Sequence, residues 1–406
     1  MKRIINLLLI TALIIISIGG CNQVKKKTVK FGVLTDKDYI INVIDEFNSS
    51  QDTYEVKPVI ITGSEDETYK QVKKLISNGS SDVDVLSMDI TWAGEFAGQG
   101  YLQPIDNLMQ EKGYTQKDFV EEAMISGKYE GKQYTLPFYL DLSLLYYRKD
   151  IVKETEAKVL ESGNYTYSDL SRLAEKYKGE KNTETGIVFQ CNVNEGLTVT
   201  AAEFTNSFHM LSGLKSLKSM VDSEYTPNDI LYYSDTETKD AFKDGKTVFT
   251  IDFSYLYNLL IEEKIETKLN KEQIGIAPLP NGGVIDGYVL GINKNSSNIE
   301  GAWEFIRYIA SEEGQTTIAK EGKHIPGFIS LATNSDIIAS NEMLAVEGLK
   351  NALNVVINRP VSDRYTQISK EIQMNVHKFL SGAQELDYTK TKIEKLMEDN
   401  EVISKR

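Results

Sequence analysis

The segment TVKFGVLTDKDYIINVIDEFNSSQDTYEVKPVII (residues 28–61) carries the pattern on which the fold assignment depends. Residues 28–34 have the apolar character of a strand, and apolar residues then recur at helical spacing between Ile40 and Phe47. Residues 54–61 predict a second strand. Strand, helix and strand in this order predict one crossover unit with parallel strands.

The pattern continues directly after this unit. A second helix is marked by Tyr69, Val72, Leu75 and Ile76, residues 82–88 predict a third strand, and residues 91–97 predict a short helix. Such alternation is typical of an α/β fold whose mostly parallel sheet is covered on both faces. Ligands settle at the carboxyl ends of such strands, which here means the loops at 35–38, 62–65 and 89–92.

The rest of the chain repeats the alternation with longer insertions and then becomes mainly helical from Ile299 onward. Further strands are predicted at 144–148, 186–190, 247–251, 274–277 and 288–292, and a capped helix at 166–178. Cores usually divide beyond about 250–300 residues, so a chain of 406 residues predicts two lobes.

The N-terminus has the layout of a secretory signal peptide, predicted here at residues 1–20. Lys2 and Arg3 precede an apolar run from Ile4 to Ile18, which is short for a membrane span. Ile18-Gly19-Gly20-Cys21 resembles the bacterial lipoprotein cleavage box, in which the cysteine is acylated. This resemblance implies a protein anchored by lipid at the extracytoplasmic face of the cell membrane; the alternative is an uncleaved signal anchor with an incidental Cys21.

The composition argues against several function classes. A net charge of −14 disfavours nucleic acid, which is bound by neutralising phosphates with Lys and Arg. If Cys21 carries lipid, Cys191 has no intrachain partner, and a buried thiol is favoured over a nucleophile. The three histidines show no metal-ligand spacing, and no phosphate-binding or dinucleotide motif is present, so no metal and no cofactor are implied. An enzyme using only two carboxylates remains open.

Segments that mix aromatic and acidic residues are the candidate binding loops. Aromatic faces cover the apolar C–H face of a sugar, and carboxylates hydrogen-bond its hydroxyl groups. For Phe253 and Tyr255, packing in the hydrophobic core is an alternative to contact with a ligand. The candidate residues in these segments are Asp89 and Trp92, Tyr139 and Asp141, Glu195, Asp252, Phe253 and Tyr255, and Asp286, Gly287 and Tyr288.

Seven motifs in order resemble the extracellular solute-binding proteins of sugar ABC importers, in particular their maltose/trehalose-binding branch. The motifs are DVDVLSMDITWAGEFAGQGYLQPID (82–106), GKQYTLPFYLDLSLLYYRKD (131–150), GIVFQCNVNEGL (186–197), FKDGKTVFTIDFSYLY (242–257), GIAPLPNGGVIDGYVLGINKNS (275–296), AWEFIRYIASEEGQ (302–315) and NRPVSDRYTQISKEIQ (358–373). The resemblance implies a monomer that binds a sugar, delivers it to the permease subunits of an importer and uses no cofactor.

The resemblance also implies two lobes joined by three crossings, with the ligand between them. The crossings would lie near Pro137–Asp141, Asp286–Leu290 and Lys323–Gly327. One lobe would combine residues 22–140 and 288–325, and the other residues 141–287 and 326–406.

Individual site residues follow from the same resemblance. Asp89, Tyr139 and Asp141 would bind sugar hydroxyls, and Phe253 and Tyr255 would form an aromatic platform. The segment Asp286–Tyr288 would close over the ligand, and Glu195 and Arg359 would line the cleft.

The sequence departs from the family at two of these positions. The family often has Trp-Pro at Phe253-Ser254 and Gly-Gly-Trp at Asp286-Gly287-Tyr288, so smaller rings replace the usual Trp platform. The departure leaves the identity of the sugar open. Asp286 either adds a hydroxyl acceptor or begins a turn.

Two other functions remain open from the residues alone. A lipid-anchored hydrolase could cleave glycans with a carboxylate pair, and a surface adhesin or scaffold would bind no small ligand. Turnover of a glycan would favour the hydrolase, and neighbouring genes for two permease subunits would favour the importer.

Replacing Cys21 tests the anchor. Cys21→Ala removes the acylated thiol, so we expect the protein to leave the membrane fraction or to remain unprocessed, as measured by fractionation and by labelling with a fatty-acid analogue. Cys191→Ala is the matched control and should fractionate like the wild type. Unchanged membrane association and unchanged labelling of the Cys21 variant would contradict the assignment.

Overall fold

The structure is a computed structural model that describes residues 25–35, 37–111, 116–261 and 267–400. The predicted signal peptide and Cys21 lie outside the described residues. None of the helices in these ranges is long and apolar enough to cross a membrane.

The described strands form one main sheet and one small hairpin. The main sheet has the order β2-β1-β3-β10-β6-β8-β7, with β9 also paired to β6, and β4 pairs with β5. The strands are β1 (Lys27–Val33), β2 (Tyr54–Ile60), β3 (Val85–Asp89), β4 (Lys128–Tyr129), β5 (Lys132–Gln133), β6 (Thr135–Arg148), β7 (Thr185–Val188), β8 (Thr247–Phe253), β9 (Ile274–Ala277) and β10 (Ile285–Ile292).

Helices cover the sheet and form most of the chain after β10. The α-helices are α1 (Asp38–Ser50), α2 (Glu65–Ile76), α3 (Trp92–Gly98), α4 (Asp106–Glu111), α5 (Glu121–Ser126), α6 (Glu154–Glu161), α7 (Tyr167–Tyr177), α8 (Glu195–Thr205), α9 (Gly213–Val221), α10 (Asp235–Lys243), α11 (Tyr255–Ile261), α12 (Ile299–Ile309), α13 (Glu312–Glu321), α14 (Ser335–Ser340), α15 (Glu347–Ala352), α16 (Tyr365–Leu380) and α17 (Leu386–Asp399). Short 3₁₀ turns lie at Gln116–Asp118, Glu180–Asn182, Ile230–Tyr232, Lys271–Gln273, Ile329–Thr333 and Glu342–Ala345.

The α/β class and the two crossover units that connect the first three strands are confirmed. β1 pairs in parallel with both β2 and β3, as the alternation of strands and helices predicts. Thr166 caps α7 through a reciprocal pair of hydrogen bonds with Asp169, which explains why the predicted helix begins there. The mostly parallel arrangement does not extend to the whole sheet, because β10 is antiparallel to β3 and β6, and β6 is antiparallel to β8 and β9.

Strand β6 is longer than the sequence predicts and joins the two halves of the sheet. Its residues 135–142 pair with β10, whereas its residues 143–148 pair with β8 and β9. The expectation of a loop at Pro137–Asp141 is therefore wrong, whereas the strand predicted at 144–148 is confirmed as the second part of β6. The run is apolar on both faces and reads as two segments only because Asp141 interrupts it.

Asp252, Phe253 and the segment Asp286–Tyr288 also lie in strands instead of loops. Asp286 is opposite Asp141 in the register of β10 and β6, so the turn alternative for Asp286 is wrong. The acidic residues Asp252 and Asp286 favoured loops, but hydrogen bonds to the adjacent strands hold the backbone of both segments in an extended conformation.

The three segments expected to cross between lobes lie side by side. Two of them are the paired parts of β6 and β10, and the third is joined to β6 by a hydrogen bond of 2.8 Å from the Leu140 N–H to the Ile325 carbonyl. The Tyr139 ring stacks on His324 at a centroid distance of 3.8 Å and contacts the Tyr288 ring at 5.2 Å. One aromatic stack therefore connects the three segments. The lobe boundaries themselves stay a prediction.

Cys191 lies in the apolar core with no exposed surface, and burial raises the pKa of its thiol. The preference for a buried thiol is confirmed. Residues 368–380 of α16 pack in the same core as Cys191 and the apolar side of α8.

Gly287 has a backbone conformation that a larger residue would strain. Its φ angle is +108°, and an added Cβ atom would lie 2.4 Å from the Tyr139 carbonyl oxygen. We expect Gly287→Ala to lower the free energy of unfolding by about 3 kcal/mol, through backbone strain and this contact, measured by urea denaturation. Gly382→Ala is the control, because Gly382 also has a positive φ but open space around its Cβ position; it should cost about 1 kcal/mol. Equal losses in the two variants would contradict the close approach of β10 to β6.

Candidate functional site

Two neighbouring cavities lie between the end of the first three strands and the helices that follow in the chain. The first, here called cavity A, has a volume of about 340 Å³, and the second, cavity B, about 480 Å³. Trp92 lines both. Cavity A is lined by Ser64, Asp66, Tyr69, Thr91, Trp92, Val193, Asn194, Glu195, Tyr365, Thr366, Ser369, Lys370 and Gln373, and cavity B by Leu34, Gly63, Thr68, Asp89, Trp92, Asp235, Tyr255 and Tyr288.

One wall of both cavities comes from the carboxyl ends of the parallel strands. Leu34 follows β1, Gly63 and Ser64 follow β2, and Asp89 ends β3, with Thr91 and Trp92 directly after it. The loops expected at 62–65 and 89–92 therefore lie where the rule for α/β sheets places a ligand. Consecutive residues face different cavities, Gly63 facing B and Ser64 facing A, so the two cavities belong to one cleft.

The opposite wall is built from the first residues of helices. Asn194 and Glu195 begin α8, Tyr365 begins α16, and Tyr255 begins α11. The Tyr255 hydroxyl donates a hydrogen bond to Asp235 at the start of α10, and Lys239 forms an ion pair of 2.9 Å with the same carboxylate. The wall therefore offers polar side chains fixed by their own hydrogen bonds.

Arg359 is buried behind this wall and holds two of the predicted acidic residues. One guanidinium nitrogen lies 3.0 Å from Glu195, and another lies 3.0 Å from Asp286. Burial raises the pKa of Asp286; Arg359 opposes this effect, and the nearby Asp89 and Asp141 add to it. Arg359 lines a crevice of about 10 Å³ together with Thr91, which also lines cavity A. Its observed contacts are those of a residue that positions Glu195 and Asp286.

Asp141 is held by the turn after β8. It accepts hydrogen bonds from the Ser254 hydroxyl and, at 3.2 Å, from the Tyr255 N–H. Burial raises its pKa to about 6, and these hydrogen bonds limit the increase. Asp141 therefore orients Tyr255 as well as supplying a carboxylate near the cleft.

Asp89 lines cavity B, beside Trp92, where the two cavities meet. Asp89 accepts hydrogen bonds from the N–H and hydroxyl of Thr91, at 2.8 Å and 2.5 Å, and lies opposite Tyr288 in the register of β3 and β10. Trp92 packs edge-on against Tyr69 at a centroid distance of 5.4 Å.

The remaining predicted site residues lie deeper. Tyr139 is buried in its aromatic stack, and Asp252 is buried with one carboxylate oxygen that has no hydrogen-bond partner among the described residues. Phe253 packs partly against the core of α8 and α16. These three residues line neither cavity, and their part in ligand binding stays a prediction.

The structure adds residues that the sequence reasoning did not single out. They are Ser64, Tyr69, Asp235, Tyr365 and Ser369. Tyr365 and Ser369 lie inside the motif NRPVSDRYTQISKEIQ and one helical turn apart, so their shared face was available as a signal. Asp235 had no such signal, because its role depends on a distant contact with Tyr255. In the described part of the chain no group of three His, Cys, Asp or Glu side chains could hold a metal.

Comparison with known proteins decides the family. The sequence profile described as bacterial extracellular solute-binding protein matches residues 32–316, which is more than half of the chain. The chain belongs to this family. Its members are binding proteins for transport, so the family assignment supports a binding protein, and the hydrolase alternative receives no support. An extracellular solute-binding family also implies a location outside the cytoplasm.

Individual relatives agree with this assignment. A probable ABC transporter-binding protein of Deinococcus radiodurans is 22% identical over 80% of this chain and 82% of its own length. The galactooligosaccharide-binding protein of Bacillus subtilis is 23% identical over 85% of this chain and 86% of its own. A maltose-bound T. maritima protein has a TM-score of 0.74 at 22% identity, covering 92% of this chain and 99% of its own, which confirms the two-lobed binding-protein fold.

Glu203 of this solute-binding protein is a buried carboxyl whose ionisation should weaken the fold. It lies on α8 with no exposed surface, and burial raises its pKa to about 8, partly offset by Ser143 and Arg359. A raised folded-state pKa means that the folded chain holds the proton more tightly than the unfolded chain. Its contribution to stability is therefore present below the unfolded value near 4.5 and is lost as pH rises to about 8.

Glu203→Gln removes this titration. We expect the variant to gain stability relative to the wild type as pH rises from about 5 to 8, by at most about 1.4 kcal/mol per pH unit, measured by urea unfolding at several pH values. Glu224→Gln, at an exposed position, is the control and should follow the wild type. A difference between the Glu203 variant and the wild type that stays constant with pH would show that Glu203 is ionised in the fold.

Proposed function

We propose that this protein binds a saccharide of at least two units in the cleft formed by cavities A and B and delivers it to the permease of an ABC importer. Acylation of Cys21 would hold it at the outer face of the cell membrane. The observation that carries the proposal is the pair of cavities that meet at Trp92, each combining aromatic rings with fixed carboxylates or amides.

The chemistry of the cleft suits a carbohydrate. Trp92, Tyr255 and Tyr288 offer ring surfaces to cavity B, and Asp89 and Asp235 offer hydroxyl acceptors beside them. Cavity A has Tyr69, Tyr365 and Glu195 in the same combination. Carboxylates that are already oriented by their own hydrogen bonds bind hydroxyl groups with little further loss of side-chain freedom.

The size of the cleft favours more than one sugar ring. Each cavity separately lies in the range of about 300–1,000 Å³ that small-ligand sites occupy. Because residues neighbouring in sequence face alternate cavities, one ligand can extend past Trp92 from one cavity into the other. A single pyranose would occupy only one of the two cavities, whereas a disaccharide or a short oligosaccharide would occupy both.

Relatives of the same fold support this ligand class. The Bacillus relative is named for galactooligosaccharides, and the T. maritima structure holds maltose. The receptor of Streptomyces glaucescens solved with acarbose has a TM-score of 0.71 at 20% identity over 92% of this chain. Another similar structure holds D-mannitol, so a polyol is the competing ligand.

Closure of two lobes would couple binding to transport. In the lobe assignment proposed from the sequence, residues 22–140 with 288–325 face residues 141–287 with 326–406 across the cleft. A ligand favours the closed state only by contacting both lobes better in that state. The lining residues meet this requirement, since Asp89 and Trp92 belong to one proposed lobe and Glu195 and Tyr255 to the other.

A thermal-shift screen of residues 22–406, which contain all described elements, tests the ligand class. Maltose, maltotriose, a galactose disaccharide, glucose and mannitol should be compared at equal concentration. A ligand at a hundredfold excess over its dissociation constant stabilises the fold by about 2.7 kcal/mol. Oligosaccharides should raise the melting temperature more than glucose or mannitol; a shift only with mannitol or an amino acid would overturn the proposed class.

The rings of cavity B should carry the preference for a sugar. We expect Tyr255→Ala and Tyr288→Ala each to weaken binding of the saccharide found in the screen about tenfold or more, as a loss of about 1.4 kcal/mol does, measured by calorimetry. Tyr232→Ala is the matched control, since Tyr232 is 74% exposed and lines neither cavity.

The competing role for these rings is packing. If the ligand-free variants melt far below the wild type while the folded fraction binds the saccharide normally, Tyr255 and Tyr288 serve the fold and not the ligand.

A further inference from the structure

Glu95 makes a direct bond across the cleft that involves no ligand. It lies on α3 and is 4% exposed. One carboxylate oxygen accepts hydrogen bonds from the Thr366 N–H at 3.1 Å and the Thr366 hydroxyl at 2.7 Å. Thr366 lies in the first turn of α16, so the carboxylate also satisfies a helix N–H that has no partner within the helix.

The second oxygen of Glu95 is fixed from its own side of the cleft. It accepts hydrogen bonds from the Tyr69 hydroxyl and from the Gln99 side chain at 3.1 Å, and Lys73 lies at 3.4 Å. Burial alone would raise the pKa of Glu95, but the bonds from Tyr69 and Thr366 together with the charge of Lys73 hold it below its usual value. The group is therefore a carboxylate anchored in one wall and bonded to the other.

Two glycines allow the walls to approach at this point. Gly94 and Gly98 lie one helical turn apart on α3, and a Cβ atom at these positions would lie 2.6 Å from Val361 and 2.4 Å from Asp363. The segment 361–366 thus lies directly on α3. Side chains at either glycine would push the segment away and lengthen the Glu95 bonds.

The bonded segments belong to opposite walls. α3 follows β3 in the wall built from the first strands, whereas α16 packs on α8, where Ser369 bonds to Thr198 at 2.7 Å and to Glu195 at 2.6 Å. Two of the partners of Glu95, Tyr69 and Thr366, line cavity A. The Glu95 contact therefore closes the end of the cavity in which Glu195 and Tyr365 lie.

We propose that Glu95 is a clasp that holds the cleft closed in the absence of ligand, and that it positions Tyr69 in cavity A. A population of closed protein exists before binding, and ligand increases it. Glu95 itself need not touch the ligand. The clasp goes beyond the proposed function. It rests on the geometry of the cleft and not on the identity of the ligand, because it concerns the ligand-free protein.

The test measures closure without ligand in residues 22–406. Spin labels on Lys74→Cys in α2 and Lys378→Cys in α16 report the distance between the walls, and Cys191 is buried and stays unlabelled. Glu95→Ala and Thr366→Val should shift the distance distribution to longer values, with the ratio of closed to open protein falling about tenfold, as loss of one buried bond to a charged group does. Glu111→Gln, exposed on α4, is the matched control.

A steric variant gives an independent measure. Gly98→Ala leaves Glu95 intact but should also lengthen the distance, and Glu95→Ala combined with Thr366→Val should have no larger effect than Glu95→Ala alone. Distances that stay at the wild-type value while the melting temperature falls would show that Glu95 only stabilises the fold and would overturn the clasp. Failure of all saccharides in the thermal screen would contradict the proposed ligand and leave this result unchanged.

Discussion

The pairing of β6 with β10 is the constraint on which the cleft depends. β6 is one continuous strand whose first half pairs with β10 and whose second half pairs with β8 and β9. Any rotation between the two halves of the sheet must pass through this strand, because its backbone belongs to both. The register of the pair also sets Asp141 beside Asp286 and Tyr139 beside Tyr288, so one set of hydrogen bonds fixes both the joint and part of the site. The Tyr139–His324 stack adds the third segment to the same joint.

The buried ion pairs of Arg359 are the second feature that fixes the site. The carboxylates of Glu195 and Asp286 compensate the charge of the buried Arg359, and removing both would leave this charge uncompensated, a change that costs about 3–5 kcal/mol. Since Glu195 begins α8 and Asp286 lies in β10, the guanidinium connects a helix of the cleft to the paired strands β6 and β10. Arg359 therefore fixes Glu195, which faces cavity A, and the predicted contact of Arg359 with a ligand stays a prediction.

The sequence predicted most of the architecture but named only five of the residues that line the cleft, namely Asp89, Trp92, Glu195, Tyr255 and Tyr288. Short strands with apolar residues, such as β1 and β9, were found because local pattern and final structure agree. β6 was split in two because Asp141 looks like a break, and only the hydrogen bonds from Ser254 and Tyr255 make an acid acceptable there. Asp235 and the interaction between Glu95 and Thr366 were missed for a related reason, since each depends on a partner more than fifteen residues away whose position no local pattern contains.

The buried state of Cys191 has a practical consequence for following this molecule in solution. A thiol with no exposed surface and a raised pKa does not react with maleimide dyes at neutral pH. In a soluble form beginning after Cys21, a single cysteine introduced at the rim of the cleft would therefore carry the only dye. Its emission would change as the polarity around the cleft changes, so the protein can be converted into a reagentless optical sensor for its own ligand without first removing a native residue.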